Sequence, residues 1–213
     1  MKRCILLFFA IAIAISGCAM FRIQNQFNLD RFNQGGYAAT VIRLGSNVDV
    51  AMGGAGAYSV TEARFRHSET GNIVKFGINL DVEMIPAGTY NLDSLYIKLH
   101  TGVGPNSRTQ RIGVRGFTGS FTVNEGEVVY LGHVFIEAAG VTTLPVVGTR
   151  LRNPTVTVTN RLDLLDAWWA ETLQFHKNRG RADETWPQTY AGFLKERTGR
   201  EMVVRLIDLS HEG

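Results

Sequence analysis

Five histidines, His67, His100, His133, His176 and His211, are the first residues to weigh for chemistry. None stands in a His-x-x-x-His or Glu-x-x-His arrangement, the spacing that turns two ligands toward one metal. His133 flanks an apolar run and reads as a hydrogen-bonded sheet residue, so no metal site is expected. A hydrolase nucleophile fares no better. The elbow Gly-x-Ser-x-Gly is absent, and Gly119-Ser120 falls in the middle of a strand pattern, a poor place to expose a hydroxyl. Two acidic pairs, Asp163/Asp166 and Glu125/Glu127, could serve acid–base hydrolysis of a glycan. Each has a simpler explanation: the first complements a helix N-terminus and the second flanks a turn glycine. The glycine cluster Met52-Gly-Gly-Ala-Gly-Ala57 lacks the Gly-Lys-Ser/Thr of a phosphate loop and precedes a strand pattern instead of a helix. It reads as an inter-strand loop. No catalytic residue and no cofactor is assigned.

The densest unusual group is aromatic: Trp168, Trp169, Trp186, Tyr190 and Phe193. Consecutive tryptophans point about 100° apart on a helix, so both cannot face one core. Trp168, Trp169, Trp186 and Tyr190 are therefore the candidate binding surface, a stacking platform for a sugar, a peptide or a partner protein. The competing reading is a helix–helix and helix–sheet core, and it is preferred, because tryptophan chiefly supplies buried area.

Only two thiols exist, Cys4 and Cys18, and both sit at the start of the chain. Lys2 and Arg3 precede an apolar run of 11 residues from Ile5 to Ile15, followed by Ser16, Gly17 and Cys18. That run matches a secretory h-region and is too short for a membrane-spanning helix. Ile15-Ser16-Gly17-Cys18 resembles the bacterial lipobox. The resemblance implies diacylglyceryl attachment to the Cys18 sulfur and cleavage between Gly17 and Cys18. Ala19 replaces the aspartate that signals inner-membrane retention in enterobacterial lipoproteins, so the resemblance implies outer-membrane delivery, facing the periplasm.

Cleavage before Cys18 would leave 196 residues and remove Lys2 and Arg3, so 20 basic residues would face 19 acidic ones. Nucleic acid is excluded as a partner, because it requires a net basic domain. No thiol would remain for a disulfide, and core packing alone would hold the fold.

The elements that must position these groups follow in order. Residues 19–36 form the expected lipidated tether; Phe21, Ile23, Phe27 and Leu29 alternate, which fits either a docked extended segment or a semi-ordered leader. Strands are expected at 37–44 and 58–66, with a hairpin through Glu69–Asn72 to 73–80. Two short strands, 89–92 and 95–99, follow a Pro-x-Gly turn, and 101–112 reads as a surface loop. Further strands are expected at 117–123, 128–136 and 154–159. After Asn160 the period becomes helical, with Leu162, Leu165, Trp169, Leu173 and His176 on one stripe. A second helix is expected to open at Asp183 with Pro187 in its first turn and to run to about Arg197. Glu201–Leu209 reads as one final strand.

Ile85-Pro-Ala-Gly-Thr-Tyr90 and Phe121-Thr-Val-Asn-Glu-Gly-Glu-Val-Val-Tyr-Leu-Gly132 resemble a pattern in uncharacterised proteobacterial lipoproteins with a transthyretin-like or immunoglobulin-like sandwich. The resemblance covers roughly residues 60–140 and implies fold and location, with no activity attached. The expected protein is mainly β: an antiparallel β-sandwich with a C-terminal α-helical pair, after a cleaved signal peptide. Its parts are a signal peptide (1–17), a lipidated tether (18–36), the sandwich (37–160), and a helical hairpin with a final strand packed on it (161–213). The expected partners are the membrane, through the lipid, and another envelope protein.

Overall fold

The computed structural model describes residues 29–48, 58–77, 82–101, 108–144, 148–180 and 182–211. Two sheets face each other across one core. Sheet A runs in the order β11 (Thr155–Thr159), β8 (Val128–Ala138), β1 (Tyr37–Val48) and β4 (Glu83–Pro86), with β12 (Met202–Val204) also paired to β8. Sheet B runs β13 (Asp208–His211), β7 (Phe117–Val123), β5 (Gly88–Thr101), β2 (Tyr58–His67) and β3 (Ile73–Phe76), with β6 (Arg108–Val114) paired to β5. A separate hairpin joins β9 (Val141–Leu144) to β10 (Gly148–Leu151). The architecture is the mainly β sandwich that strand spacing indicates. Most ladders are antiparallel, while β1 and β12 flank β8 in parallel.

The composition of β8 follows from its position. Residues Val128–Val134 are buried without interruption, because sheet A is covered on both faces. Val129 and Leu131 point into the sandwich core with Ile42, Phe65 and Ile97. Val128 and Tyr130 point outward into a second core with Leu165, Trp169, Tyr190 and Phe193. That outer layer is built by α2 (Leu162–Lys177) and α3 (Tyr190–Thr198). On α2 the buried residues are Leu165, Trp169, Leu173 and His176, the stripe that the sequence period places there.

Several elements depart from sequence expectation, each for a physical reason. Part of the expected tether is a short helix, α1 (Leu29–Asn33), not an extended segment; Phe32 buries itself in the second core. Residues 108–112, expected within a loop, belong to strand β6. Only Ile112 and Val114 turn inward there, and arginine, threonine, glutamine and glycine occupy the remaining positions of this edge. The two strands expected at 89–92 and 95–99 are one strand, β5, made continuous by a bulge at Asp93 opposite Arg64/Phe65. Helix α3 begins after Thr189 and not after Asp183. Thr189 Oγ1 accepts from the Gly192 amide at 3.1 Å, and Asp166 of α2 accepts from the Tyr190 amide at 3.0 Å. Asp183 instead closes a turn on the Thr185 amide at 2.9 Å. The expected final strand is two strands in two sheets: β12 ends at Val204, Arg205–Ile207 cross the sandwich edge, and β13 joins sheet B. The glycine cluster at 52–57 lies outside the described residues.

Candidate anion-binding site

The two outer faces of the sandwich differ. Helices cover sheet A, whereas the outer face of sheet B carries a row of charged side chains. Strand alternation places Glu62 (β2), Lys75 (β3), Tyr96 and Lys98 (β5) and Arg111 (β6) on that face, and cross-strand register brings them together. Glu62 is only 2% exposed despite facing outward. Lys98 Nζ lies 2.7 Å from its Oε2 and Lys75 Nζ 3.3 Å; Arg111 Nη2 lies 2.5 Å from its Oε1 and Arg64 Nε 3.1 Å. The four long side chains close over the carboxylate. Their stems exclude water while their charged ends reach solvent. Burial by itself would raise the Glu62 carboxyl; the hydrogen bonds from Lys98, Lys75 and Arg64, with the Arg111 charge, outweigh it and bring it to about 2. Four cations against one carboxylate leave three positive charges in surplus on the cluster. The Arg111 guanidinium also lies 3.6 Å from the Tyr96 ring centre, which fixes its plane.

A groove opens beside this cluster, where sheet B changes partner. The edge of β5 pairs with β7 through Gly88–Asn91 and with β6 from Leu95 onward, so Leu92–Ser94 fall between two ladders. The bulge at Asp93 sits in that gap, and Asp93 is drawn across β2 to Arg66. The cavity there has a volume of about 410 Å³ and is lined by Ser94, Tyr96, Gly113, Arg115 and Phe117, among others. Gly113 and Arg115 also line a second cavity of about 190 Å³, whose far wall is Thr149, Arg150 and Leu151 of β10 with Pro154. Arg115 joins the two. The arrangement can hold an anion by charge and by guanidinium forks.

The residues singled out from the sequence lie elsewhere. Gly17 and Cys18 are outside the described residues. Trp169 and Tyr190 are completely buried, and Trp168 and Trp186 are half-buried. Trp169 packs against Phe193 with ring centres 4.4 Å apart and stacks on Trp186 at 6.3 Å, while its Nε1 donates to the Pro187 carbonyl at 2.8 Å. Trp168 meets the Tyr190 ring edge-on at 5.6 Å. As a binding surface this quartet is corrected for Trp169 and Tyr190, which form the seam between α2, α3 and sheet A and offer no accessible face.

Three of the four carboxylates in the acidic pairs are engaged, while Glu125 is exposed at the turn between β7 and β8. Asp163 is paired with Arg161 at 2.8 Å, Asp166 caps α3, and Glu127 is paired with Arg205 at 2.7 Å. His133 is buried in β8 against the Phe135 ring, and burial together with the Arg43 and Arg161 charges lowers its pKa. His67 is buried against Tyr90, and its Nδ1 accepts from the Glu69 and Thr70 amides. Among the described residues, no three His, Cys, Asp or Glu side chains gather where they could hold a metal ion. Sequence reasoning missed Arg115 and Arg150, which are 35 positions apart and line one cavity only because β10 packs against β6.

Comparison with family models, with curated proteins and with solved structures returns no match.

Proposed function

We propose that this chain is a lipid-anchored protein of the bacterial cell envelope that binds an anionic component and does not transform it. The observation that carries the binding half is the outer face of sheet B, where a buried carboxylate holds four cations in place beside a groove lined by further arginines. The anchoring half rests on Ile15-Ser16-Gly17-Cys18 at the end of the apolar run. Two or three acyl chains at ~0.8 kcal/mol per buried CH₂ would hold the protein to lipid permanently. From Cys18 to the first described helix at Leu29 the chain reaches at most ~40 Å, so the sandwich would work close to the bilayer surface. Ala19 favours delivery to the outer membrane, where the sandwich would face the periplasm and a second envelope component is the expected partner.

Hydrolysis of glycan or peptidoglycan is less well supported. It needs two free carboxylates flanking one bond, and neither acidic pair offers two: Asp163 and Asp166 are held in an ion pair and a helix cap, and Glu127, beside the exposed Glu125, is held by Arg205.

Fractionation tests the anchoring. The native chain is expected in the membrane pellet, resistant to salt and extracted by detergent, whereas Cys18→Ser is expected in the soluble fraction. A Cys18→Ser chain that stays in the pellet would contradict the reading.

A further inference from the structure

We infer that Arg115 and Arg150 form a clamp for a phosphate-bearing ligand, seated in the groove between β6 and β10. The inference deepens the binding role proposed above and does not depend on the lipid anchor. Arg115 follows the end of β6 and Arg150 belongs to β10, so they approach the same cavity of about 190 Å³ from two elements. Gln110 of β6 donates to Thr149 Oγ1 of β10 and ties those elements together, while Leu151 packs on the sandwich core. The backbone positions from which the two side chains reach the cavity are therefore set by the fold.

Neither arginine side chain has a hydrogen bond, ion pair or ring contact among the described residues. This sets them apart from Arg64, Arg66, Arg111, Arg161 and Arg205, each of which is spent on a carboxylate. Two unpaired cations lining one small cavity repel each other, and a bound oxyanion relieves that repulsion. Guanidinium pairs select phosphate by presenting parallel N–H donors to two oxygens at once. The Glu62 cluster reaches the same strand, β6, through Arg111, and its surplus positive charge draws anions toward the groove. The larger cavity beyond Arg115, about 410 Å³ and lined by Tyr96 and Phe117, has room for the group that carries the phosphate. A free phosphorylated molecule and a phospholipid headgroup present the same chemistry to the clamp.

Calorimetric titration of the purified full chain in dodecylmaltoside micelles with inorganic pyrophosphate tests this. Saturable binding above a chloride control is expected, weakened at least ~10-fold in an Arg115→Gln/Arg150→Gln double variant. The variant should keep the parent melting temperature, because neither side chain holds the fold. Absence of saturable binding, or equal affinity in parent and variant, would overturn the clamp. Repeating the titration with phosphatidylglycerol in the micelles separates the sources. Competition that disappears in the double variant supports a headgroup ligand, and pyrophosphate binding that lipid leaves unchanged supports a soluble one. Equal affinity in parent and variant would overturn the clamp and leave the broader anion-binding role standing, whereas no saturable binding would overturn both; the Cys18→Ser fractionation is independent of either result.

Discussion

Arg205 grips Glu127 with both ends of its guanidinium, Nη1 at 2.7 Å from Oε2 and Nη2 at 3.0 Å from Oε1, and Nη1 also donates to the Thr122 carbonyl at 2.7 Å. The two residues stand at two crossings between the sheets. Glu127 lies between β7 of sheet B and β8 of sheet A, and Arg205 lies between β12 of sheet A and β13 of sheet B. The bond fastens the C-terminal segment to the sandwich edge. Both residues are partly exposed, so the pair is worth less than a fully buried one. Arg205→Ala should lower the unfolding free energy by about 1–2 kcal/mol. The loss should be visible as a lower urea midpoint, together with faster amide exchange in Asp208–His211. An unchanged midpoint would show that β13 holds without the bridge.

Acid should weaken the fold in a defined window. Glu62 and Glu127 both sit at about 2 in the folded protein against an ordinary value of 4.5. For Glu127 the cause is the Arg205 hydrogen bonds, with the Asn124 amide adding to them against some desolvation. A carboxyl lowered on folding stabilises the protein fully above its unfolded pKa, and that stability is lost as pH falls toward the folded one. Urea midpoints should therefore be flat above about pH 5.5 and fall steadily between pH 4.5 and 2. Glu62 accounts for up to about 3 kcal/mol of that fall. Glu62→Gln should reduce stability at pH 7 and make the acid limb markedly shallower. An acid limb that keeps its slope in Glu62→Gln would contradict the role given to this carboxylate.

The two tryptophans should respond differently. Trp169→Ala removes a completely buried ring and its bond to Pro187, which should cost about 3–5 kcal/mol. Trp168→Ala, at a half-buried site, should cost about 1–2 kcal/mol. Thermal unfolding of both variants checks the ranking, and equal losses would place Trp168 in the core as well.

Glycines in the two sequence motifs should not tolerate a side chain. Gly88 has φ +146° and Gly132 φ +100°, both unfavourable to other residues. A Cβ on Gly88 would overlap the His67 ring, and one on Gly132 would press on Leu206 and Val158. Gly88→Ala and Gly132→Ala should each cost about 2 kcal/mol or more, read as a fall in melting temperature. A melting temperature within error of the parent would show that the backbone relaxes there.

These glycines show which part of the fold was legible. The motifs holding Gly88 and Gly132 mark a sheet crossing and a bulged central strand, and their residue types follow from local backbone needs. The long apolar run of β8 and the stripe on α2 were equally readable, because burial writes a period into the sequence. Strand β6 was not, since only Ile112 and Val114 face inward and the other positions are polar or glycine. The split of residues 201–209 into β12 and β13 was hidden because both halves look like strand, and the crossing at Arg205 depends on a distant partner, Glu127. The groove was the least legible feature. Its arginines carry no local motif, and the hairpin β9–β10 that brings Arg150 to the cavity lined by Arg115 has no strong pattern of its own. The aromatic cluster drew attention because it is dense in sequence, yet density there serves burial.

The central claim concerns Cys18, and the mass of the mature N-terminal peptide tests it most directly. Protein extracted from membranes, digested and analysed by mass spectrometry should yield a first peptide beginning at Cys18 and carrying a diacylglyceryl group on sulfur. Residues 1–17 should be absent. A first peptide that begins at Met1, or a Cys18 peptide of unmodified mass, would contradict the account.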